Sequence, residues 1–199
     1  MKTFLHVGCG PNRKEQTTKA FAGSGWSELR FDIDPAAQPD IVGTMTDMSA
    51  LGDESVDALY SSHNIEHLYA HEVPVALAEF RRVLKHDGFA VITCPDLQSI
   101  AALIAEDKLT EEAYKSPAGP ITPLDMVFGF RPQLAAGNHF MAHRCGFTQK
   151  VLDATLTASG FATVASFRRG APCFDLWAIA GKSPMAEDEI RKLAEQHFP

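Results

Sequence analysis

Two glycines and one acidic residue occupy positions that suit a nucleoside-binding site. Gly8 and Gly10 directly follow a short apolar segment, and Asp32 lies in the next such segment, 22 residues after Gly10. Glycine has no Cβ atom, so the backbone can approach a ligand closely where a strand ends. An acid at the end of the following strand commonly accepts hydrogen bonds from both hydroxyls of an adenosine ribose. The spacing therefore indicates a ligand that contains a nucleoside.

Three sequence motifs of proteins that bind or use nucleotides are absent from the chain. The dinucleotide fingerprint requires a third glycine where this chain has Arg13, and no run of glycine, lysine and serine or threonine forms a phosphate-binding loop. The Tyr-x-x-x-Lys pair of short-chain dehydrogenases is also missing, because no lysine follows Tyr60, Tyr69 or Tyr114 by four residues. These absences disfavour a nicotinamide-dependent reductase and favour a nucleoside that carries no pyrophosphate.

A second set of polar residues suits the binding or activation of a substrate. His63 and Asn64 follow the predicted fourth strand, and an imidazole titrates near neutral pH, which suits a catalytic base. His139, His143 and Arg144 form another polar cluster, in which the guanidinium suits a carboxylate or a phosphate. The alternatives are a His63 that is satisfied within its loop and a surface loop in which the later cluster only caps neighbouring elements.

The spacing of three histidines raises the question of a metal site. His63, His67 and His71 recur at every fourth position and would share one face of a continuous helix. The fourth strand is predicted to end near Tyr60, so a loop breaks that register, and no fourth ligand is placed. The four cysteines are scattered without C-x-x-C spacing. We therefore predict no metal and interpret His67 as structural.

The elements that position these residues follow from short apolar runs that alternate with amphipathic stretches, a pattern that predicts an α/β fold. Strands are predicted at residues 3–7, 29–33, 40–42, 56–60, 89–93, 162–167 and 174–180. Helices are predicted at residues 71–84, 97–106, 111–115, 149–159 and 186–197, with a turn at 86–88. The short link between the last two strands predicts an antiparallel pair, because a parallel crossover needs about a dozen residues.

The composition fits a single globular domain that spans residues 1–199. Hydrophobic residues make up 45% of the chain and charged residues 22%, and the formal net charge of −7 argues against nucleic acid as a partner. The sequence shows neither an apolar run of membrane-spanning length nor a signal peptide, so we expect a cytoplasmic protein. Residues 96–146 are irregular and rich in proline, and we expect them to form a lid or substrate-binding segment.

Six ordered blocks give the chain a family resemblance. They lie at residues 5–11, 29–35, 46–51, 55–68, 81–96 and 143–161, and they include the segments LHVGCGP and LRFDIDP. In this order they resemble class I S-adenosylmethionine-dependent methyltransferases of the small-molecule type. The resemblance implies a Rossmann-like, doubly wound, seven-stranded sheet that is mostly parallel and has an antiparallel C-terminal strand.

The resemblance also implies a cofactor, S-adenosyl-L-methionine, which the reaction converts to S-adenosyl-L-homocysteine. Backbone at the glycine-rich segment then faces the methionine portion, Asp32 binds the ribose, and Asp47 with Met48 flanks the adenine. His63 takes the position that faces the transferable methyl group. The implied cofactor-binding residues are Gly8, Cys9, Gly10, Asp32, Ile33, Asp47, Met48, Ser62 and His63.

The implied function is methyl transfer to an unidentified small-molecule or carrier-borne acceptor. Asn64, His139, His143 and Arg144 are the residues expected on the acceptor side. The alternative is a module that kept the fold without the reaction and binds the cofactor or another protein. The chain starts at its first strand, so we expect residues 96–146, or a second copy in a homodimer, to cover the cofactor.

Overall fold

Seven strands form one sheet in the computed structural model, which describes residues 1–199. The strands in chain order are β1 (Lys2–Val7), β2 (Trp26–Asp32), β3 (Ile41–Val42), β4 (Val56–Ser62), β5 (Leu84–Pro95), β6 (Tyr114–Ser116), β7 (Gly119–Ile121), β8 (Thr163–Arg169) and β9 (Asp175–Gly181). Strands β6 and β7 form a separate hairpin. The α-helices are α1 (Lys19–Ala22), α2 (Val73–Val83), α3 (Leu97–Ala105), α4 (Pro123–Phe128), α5 (Arg131–Ala135), α6 (Gln149–Ala158) and α7 (Glu187–His197).

The order of strands across the main sheet is β3-β2-β1-β4-β5-β9-β8. Strands β1 to β5 pair in parallel, whereas β9 runs antiparallel to both of its neighbours. The predicted mostly parallel, seven-stranded sheet with an antiparallel C-terminal strand is confirmed. The chain winds outward from β1 to β3 and returns to place β4 beside β1, which makes a topological switch point. Ligands of open α/β sheets bind in the crevice outside such a point.

Helices cover both faces of the sheet, because successive strand residues point to opposite sides. In β1, Leu5 and Val7 belong to the larger hydrophobic core, which packs under α2 and α6. Phe4 points the other way, into a smaller core with Phe21 of α1 and residues of α7. The doubly wound arrangement is therefore confirmed. None of these helices is both long and apolar enough to span a membrane.

The predicted helix at 111–115 is wrong, because this stretch enters the β6–β7 hairpin. Tyr114 pairs with Ile121, and Ala113 N–H donates a hydrogen bond to the Ile121 carbonyl at 2.8 Å. Gly119 takes a φ of +124°, which closes the turn in a conformation that suits glycine. The Tyr114 ring stacks on Phe174 at 6.4 Å between centroids, so tertiary packing outweighs the local helical preference.

The predicted turn at 86–88 lies inside β5 and does not precede it. Val56 pairs with Leu84 and Ala58 pairs with Phe89, so residues 85–88 bulge out opposite a single residue of β4. The helix predicted at 149–159 is confirmed as α6, whose Thr148 caps the first turn and whose end is followed by Gly160 at a φ of +90°.

Residues 96–146 build a small unit beyond the carboxyl end of β5. Ile100, Ile121 and Met126 form a separate apolar cluster with Phe174 of the loop before β9. The prolines of this unit suggest irregular loops, but the short helices α4 and α5 form within it. This cluster anchors the unit beside the switch point and places its last residues over the ends of β1 and β4.

Candidate functional site

A cleft of about 480 Å³ opens at the carboxyl ends of β1, β2 and β4, at the switch point. Sites for small molecules commonly measure roughly 300–1,000 Å³, so the cleft has the size of a cofactor site. The residues that line it are Val7, Gly8, Gly10, Phe31, Asp32, Ile33, Gly43, Thr44, Met45, Thr46, Ser62, His63, Asn64, His67, Leu68, Glu72, Phe140, Met141 and Arg144.

The glycine loop at the end of β1 needs glycine for two reasons. Gly8 and Gly10 have φ values of +60° and +51°, in the left-handed region that disfavours other residues. A Cβ atom at Gly8 would also lie 2.0 Å from Oδ1 of Asn64. The Asn64 amide donates to the carbonyls of Val7 at 2.9 Å and Ser62 at 3.1 Å, so it ties the end of β1 to the end of β4.

The carboxylate of Asp32 lines the cleft at the end of β2. One oxygen accepts from Gly10 N–H at 2.7 Å, and the other accepts from Asp34 N–H at 2.8 Å. Asp32 is mostly buried but lines the cleft, and a carboxylate has about four lone-pair directions, so it retains acceptor capacity toward a ligand. The two backbone contacts fix its direction.

Arg30 holds the glycine loop against the loop that follows β2, and the sequence analysis missed it. Its guanidinium is buried and donates to the carbonyls of Gly10, Asn12, Ala37 and Gln38. These four contacts compensate the burial of a charge. An arginine inside the apolar run LRFDI was the available signal, because a charge in a covered strand requires nearby partners.

Asp47 and Met48, which are expected to flank the adenine, do not line the cleft with their side chains. Met48 is fully buried in the larger core, and the Asp47 side chain is exposed and accepts from Ser49 N–H at 3.0 Å. An isolated bridge between Thr44 and Asp47 reverses the chain there. The turn places Met45 and Thr46 on the cleft wall instead.

Ile33 lies where the sequence placed it, whereas Cys9 does not. Ile33 lines the cleft and is 45% exposed, as expected for an apolar side chain that awaits a ligand. The Cys9 side chain is buried and does not line the cleft, and burial raises the pKa of its thiol to about 11. Cys9 can therefore contribute only its backbone.

A second cavity of about 160 Å³ adjoins the cleft, and His63, His67 and Met141 line both spaces. His63 has a φ of +54°, which is unusual for a residue with a Cβ atom, and its N–H donates to the Thr93 carbonyl at 2.9 Å. Ser62 is bonded to the Thr93 hydroxyl at 2.9 Å. The junction of β4 and β5 thus holds the His63 side chain between the two spaces.

Glu66 is the most unusual residue of the second cavity. Its side chain is 1% exposed, and neither carboxylate oxygen has a hydrogen-bond partner. Nδ1 of His63 lies 3.5 Å from Oε1, which is an ion-pair distance and too long for a strong hydrogen bond. Glu66 is not among the residues predicted from the sequence, although the pair Glu66-His67 after a strand offered a signal.

Charge interactions shift the pKa values of this group. Desolvation in the cleft lowers the pKa of His63, but the adjacent Glu66 outweighs that effect and holds it above its ordinary value. Burial raises the pKa of Glu66, but His63, and then the charges of His67 and His143, hold it below its ordinary value. Burial also lowers the pKa of His143, which favours its neutral form.

The other residues predicted on the acceptor side, Arg144, His143 and His139, lie in three different places. Arg144 lines the cleft, where its guanidinium lies 4.9 Å from the Tyr69 ring centre and donates to the His67 carbonyl at 3.1 Å. His143 lines the second cavity. His139 is exposed and lines neither space. Phe140 and Met141, beside His139, line the cleft in its place.

The fold and the cleft at its switch point define a Rossmann-like α/β protein. Residues 5–92 match the family model described as a methyltransferase domain. This match covers less than half of the chain. The chain as a whole shares the Rossmann-like fold of class I S-adenosylmethionine-dependent methyltransferases, as the sequence predicted. No functionally curated protein matches the chain significantly.

Solved structures of similar fold agree with the family match. A methyltransferase of Methanosarcina mazei has a TM-score of 0.62 at 17% identity, over 92% of this chain and 93% of its own. One from Archaeoglobus fulgidus has a TM-score of 0.58 at 15% identity, over 91% and 86%.

A third similar structure contains ligands. The 1,6-didemethyltoxoflavin-N1-methyltransferase of Burkholderia thailandensis, with 1,6-didemethyltoxoflavin and S-adenosylhomocysteine bound, has a TM-score of 0.58 at 17% identity, over 92% of this chain and 72% of its own. The family match and this complex support S-adenosylmethionine as the cofactor that the sequence predicts.

Proposed function

We propose that the chain transfers the methyl group of S-adenosylmethionine to a small-molecule acceptor. The observation that carries the proposal is the carboxylate of Asp32, which Gly10 N–H and Asp34 N–H aim into a cleft of cofactor size at the switch point. An acid held in this place is suited to accept hydrogen bonds from both ribose hydroxyls.

The walls of the cleft suit the other parts of the cofactor. Ile33 and Met45 offer apolar contacts to an adenine, while Thr46 offers a polar group at the same wall. The left-handed turn at Gly8 and Gly10 brings bare backbone toward the methionine portion. His63, the proposed catalytic residue, lines the cleft and the second cavity, so its side chain would lie between the cofactor and the acceptor.

The second cavity suits the acceptor because it joins the cleft at His63. Its volume of about 160 Å³ favours a small group, such as one ring or a short polar chain. The Burkholderia neighbour acts on a small heterocycle, which supports this substrate class. Arg144 at the rim suits an anionic group of the acceptor, and the acidic net charge disfavours nucleic acid.

The reaction is an in-line displacement at the methyl carbon. The acceptor atom forms a bond to that carbon while the bond from carbon to sulfur breaks, and the sulfonium becomes the neutral thioether of S-adenosylhomocysteine. A proton leaves the acceptor when its atom is an oxygen or an amine nitrogen. The protein's main task is to align the two reactants, because correct positioning lowers the entropic part of the activation barrier.

Isothermal titration of the full chain with S-adenosylhomocysteine tests the cofactor assignment, with NADH as the control ligand. We expect micromolar binding of S-adenosylhomocysteine and none of NADH. Absence of binding to S-adenosylhomocysteine would overturn the proposal. A screen of small acceptors that follows S-adenosylhomocysteine formation then separates an active enzyme from a module that binds the cofactor without turnover.

A further inference from the structure

The buried carboxylate of Glu66 lacks the partners that its surroundings should supply. Both of its oxygens are enclosed and without hydrogen bonds, while most buried polar atoms in folded proteins are paired. An ionised carboxylate in such a place is costly unless a cation compensates it. His63 compensates only in part, because its ring lies 3.5 Å from one oxygen and its side chain is 46% exposed.

Two further histidines converge on the same carboxylate. One potential ligand atom from each of Glu66, His67 and His143 lies within 4.8 Å of the other two. The rings of His67 and His143 meet at 4.9 Å between centroids and at 63°. A tetrahedral zinc site needs separations of roughly 3.3 Å between ligand atoms, so small side-chain rotations close the set.

The backbone prepares both imidazoles for coordination through the same nitrogen. Nδ1 of His67 donates to the Ala142 carbonyl at 3.2 Å, and Nδ1 of His143 donates to the Met126 carbonyl at 2.8 Å. With Nδ1 protonated, Nε2 of each ring carries the free lone pair. Histidine ligands of metals characteristically donate their other ring N–H to a carbonyl in this way.

Backbone contacts also hold the two halves of the cluster together. Glu66 and His67 belong to the short 3₁₀ helix Ile65–His67 after β4, whereas His143 comes from the unit formed by residues 96–146. The N–H groups of Arg144 and Cys145 both donate to the Glu66 carbonyl, at 2.8 and 3.2 Å. The three side chains are therefore assembled before any ion arrives.

We propose that Glu66, His67 and His143 bind a divalent transition-metal ion, with Zn²⁺ as the preferred ion. Two imidazoles and one carboxylate form a three-ligand set typical of zinc sites that keep an open position. The same set also suits Fe²⁺ or Mn²⁺, but a site of given ligands generally binds Zn²⁺ more tightly than either. Metal binding compensates the charge of Glu66, which His63 balances only in part, and uses both prepared lone pairs.

The position of the ion gives it a role that rests on the proposed function. Glu66, His67 and His143 all line the second cavity, and His67 also lines the cleft. An open coordination position there would hold an acceptor that carries an oxygen or nitrogen donor beside the methyl group. The acceptor class is therefore a small molecule with a metal-binding hydroxyl, carboxylate or ring nitrogen.

Titration of the metal-free full chain with Co²⁺, followed by visible absorption, tests the site without an activity assay. We expect one Co²⁺ per chain with the absorption bands of a bound ion, and displacement by Zn²⁺. His143→Ala and Glu66→Gln should each weaken Co²⁺ binding by at least about tenfold. The matched control is His71→Ala, which removes a nearby exposed histidine and should leave binding unchanged.

Three results would overturn the metal site. They are no stoichiometric absorption change in the wild-type chain, equal Co²⁺ affinity in folded His143→Ala, or an equal loss in His71→Ala. Circular dichroism checks each variant, and His143→Ala serves if Glu66→Gln does not fold. Titration with S-adenosylhomocysteine separates the two proposals, because a failed cofactor titration with normal Co²⁺ binding refutes only the methyl transfer.

Discussion

Polar side chains on one side of the carboxyl end of β4 have hydrogen-bond partners, whereas the buried carboxylate on the other side has none. On the cofactor side, Arg30, Asp32 and Asn64 all have backbone partners within 3.2 Å. On the other side, the carboxylate of Glu66 is buried and neither of its oxygens has a hydrogen bond. Both sides lie at the carboxyl ends of the same strands. The difference therefore lies in the hydrogen-bond partners that the fold supplies to each side chain.

Complete and incomplete hydrogen bonding mark different kinds of site. A satisfied network fixes the backbone, and the ligand then meets a preformed surface. An unsatisfied buried carboxylate keeps its capacity for a ligand and depends on that ligand for compensation. The cofactor side thus presents a preformed surface to its ligand. The cluster of Glu66, His67 and His143, in contrast, lacks a partner for its carboxylate.

The largest effect is expected from Gly8→Ala, which changes the glycine loop on the cofactor side. The new Cβ atom would lie 2.0 Å from Oδ1 of Asn64, and the left-handed backbone costs a non-glycine residue about 1–2 kcal/mol. Isothermal titration should show no S-adenosylhomocysteine binding at about 100 times the wild-type Kd.

Two variants show whether the clash at Gly8 is the cause. Gly25→Ala is the control, since its Cβ atom would have no heavy atom within 4 Å. Adding Asn64→Ala to Gly8→Ala removes the clash and should recover part of the affinity. Wild-type affinity in Gly8→Ala would show that the glycine loop does not position the cofactor.

The second effect concerns His63, which lines both spaces. His63→Ala should lower turnover of the acceptor found by screening by at least about 100-fold, the scale on which catalytic side chains act. The Kd for S-adenosylhomocysteine should change by less than about twofold. Full turnover in this variant would remove His63 from the catalytic residues, and His71→Ala is the control.

A smaller effect is expected from Asp32→Ala on the cofactor side. Loss of a hydrogen bond to a charged group should weaken S-adenosylhomocysteine binding at least tenfold, or about 1.4 kcal/mol. Asp34→Ala is the matched control, because Asp34 caps the next short 3₁₀ helix and does not line the cleft. Equal losses in both variants would indicate a general disturbance of the loop, and the ribose assignment would fail.

A separate effect, on stability and not on ligand binding, is expected at a buried histidine that has a hydrogen-bond partner. His197 is bonded to the Thr18 hydroxyl at 2.8 Å, and burial lowers its pKa to about 4. Below about pH 6.5 the unfolded chain therefore binds a proton that the folded chain binds only near pH 4, so the free energy of unfolding falls as the pH falls. Its contribution should drop by about 2 kcal/mol between pH 7.5 and pH 5.

Urea unfolding of wild type and His197→Gln at several pH values measures this effect. The glutamine can bond to Thr18 but cannot titrate, so the variant should lose less stability on acidification. Parallel pH profiles for the two proteins would show that a buried, partnered histidine carries no penalty here. That result would weaken the contrast between satisfied and unsatisfied polar groups.

Much of the cofactor side could be predicted from the sequence, because its signals are local. Gly8 and Gly10 follow a strand directly, Asp32 lies in the next strand, and all three line the cleft. Asp47 and Met48 lie outside the cleft lining, because the chain reverses at the bridge between Thr44 and Asp47. Whether these residues bind the cofactor stays a prediction until the titrations are made.

The alternation of strands and helices, the glycine loop and the acid that faces it follow from local sequence patterns. Hydrophobic periodicity and missing Cβ atoms act within a few residues, so these features can be inferred without knowledge of the fold. Only the tertiary structure decided which histidines meet. His67 and His143 are 76 positions apart, and backbone hydrogen bonds from Arg144 and Cys145 to Glu66 bring them together.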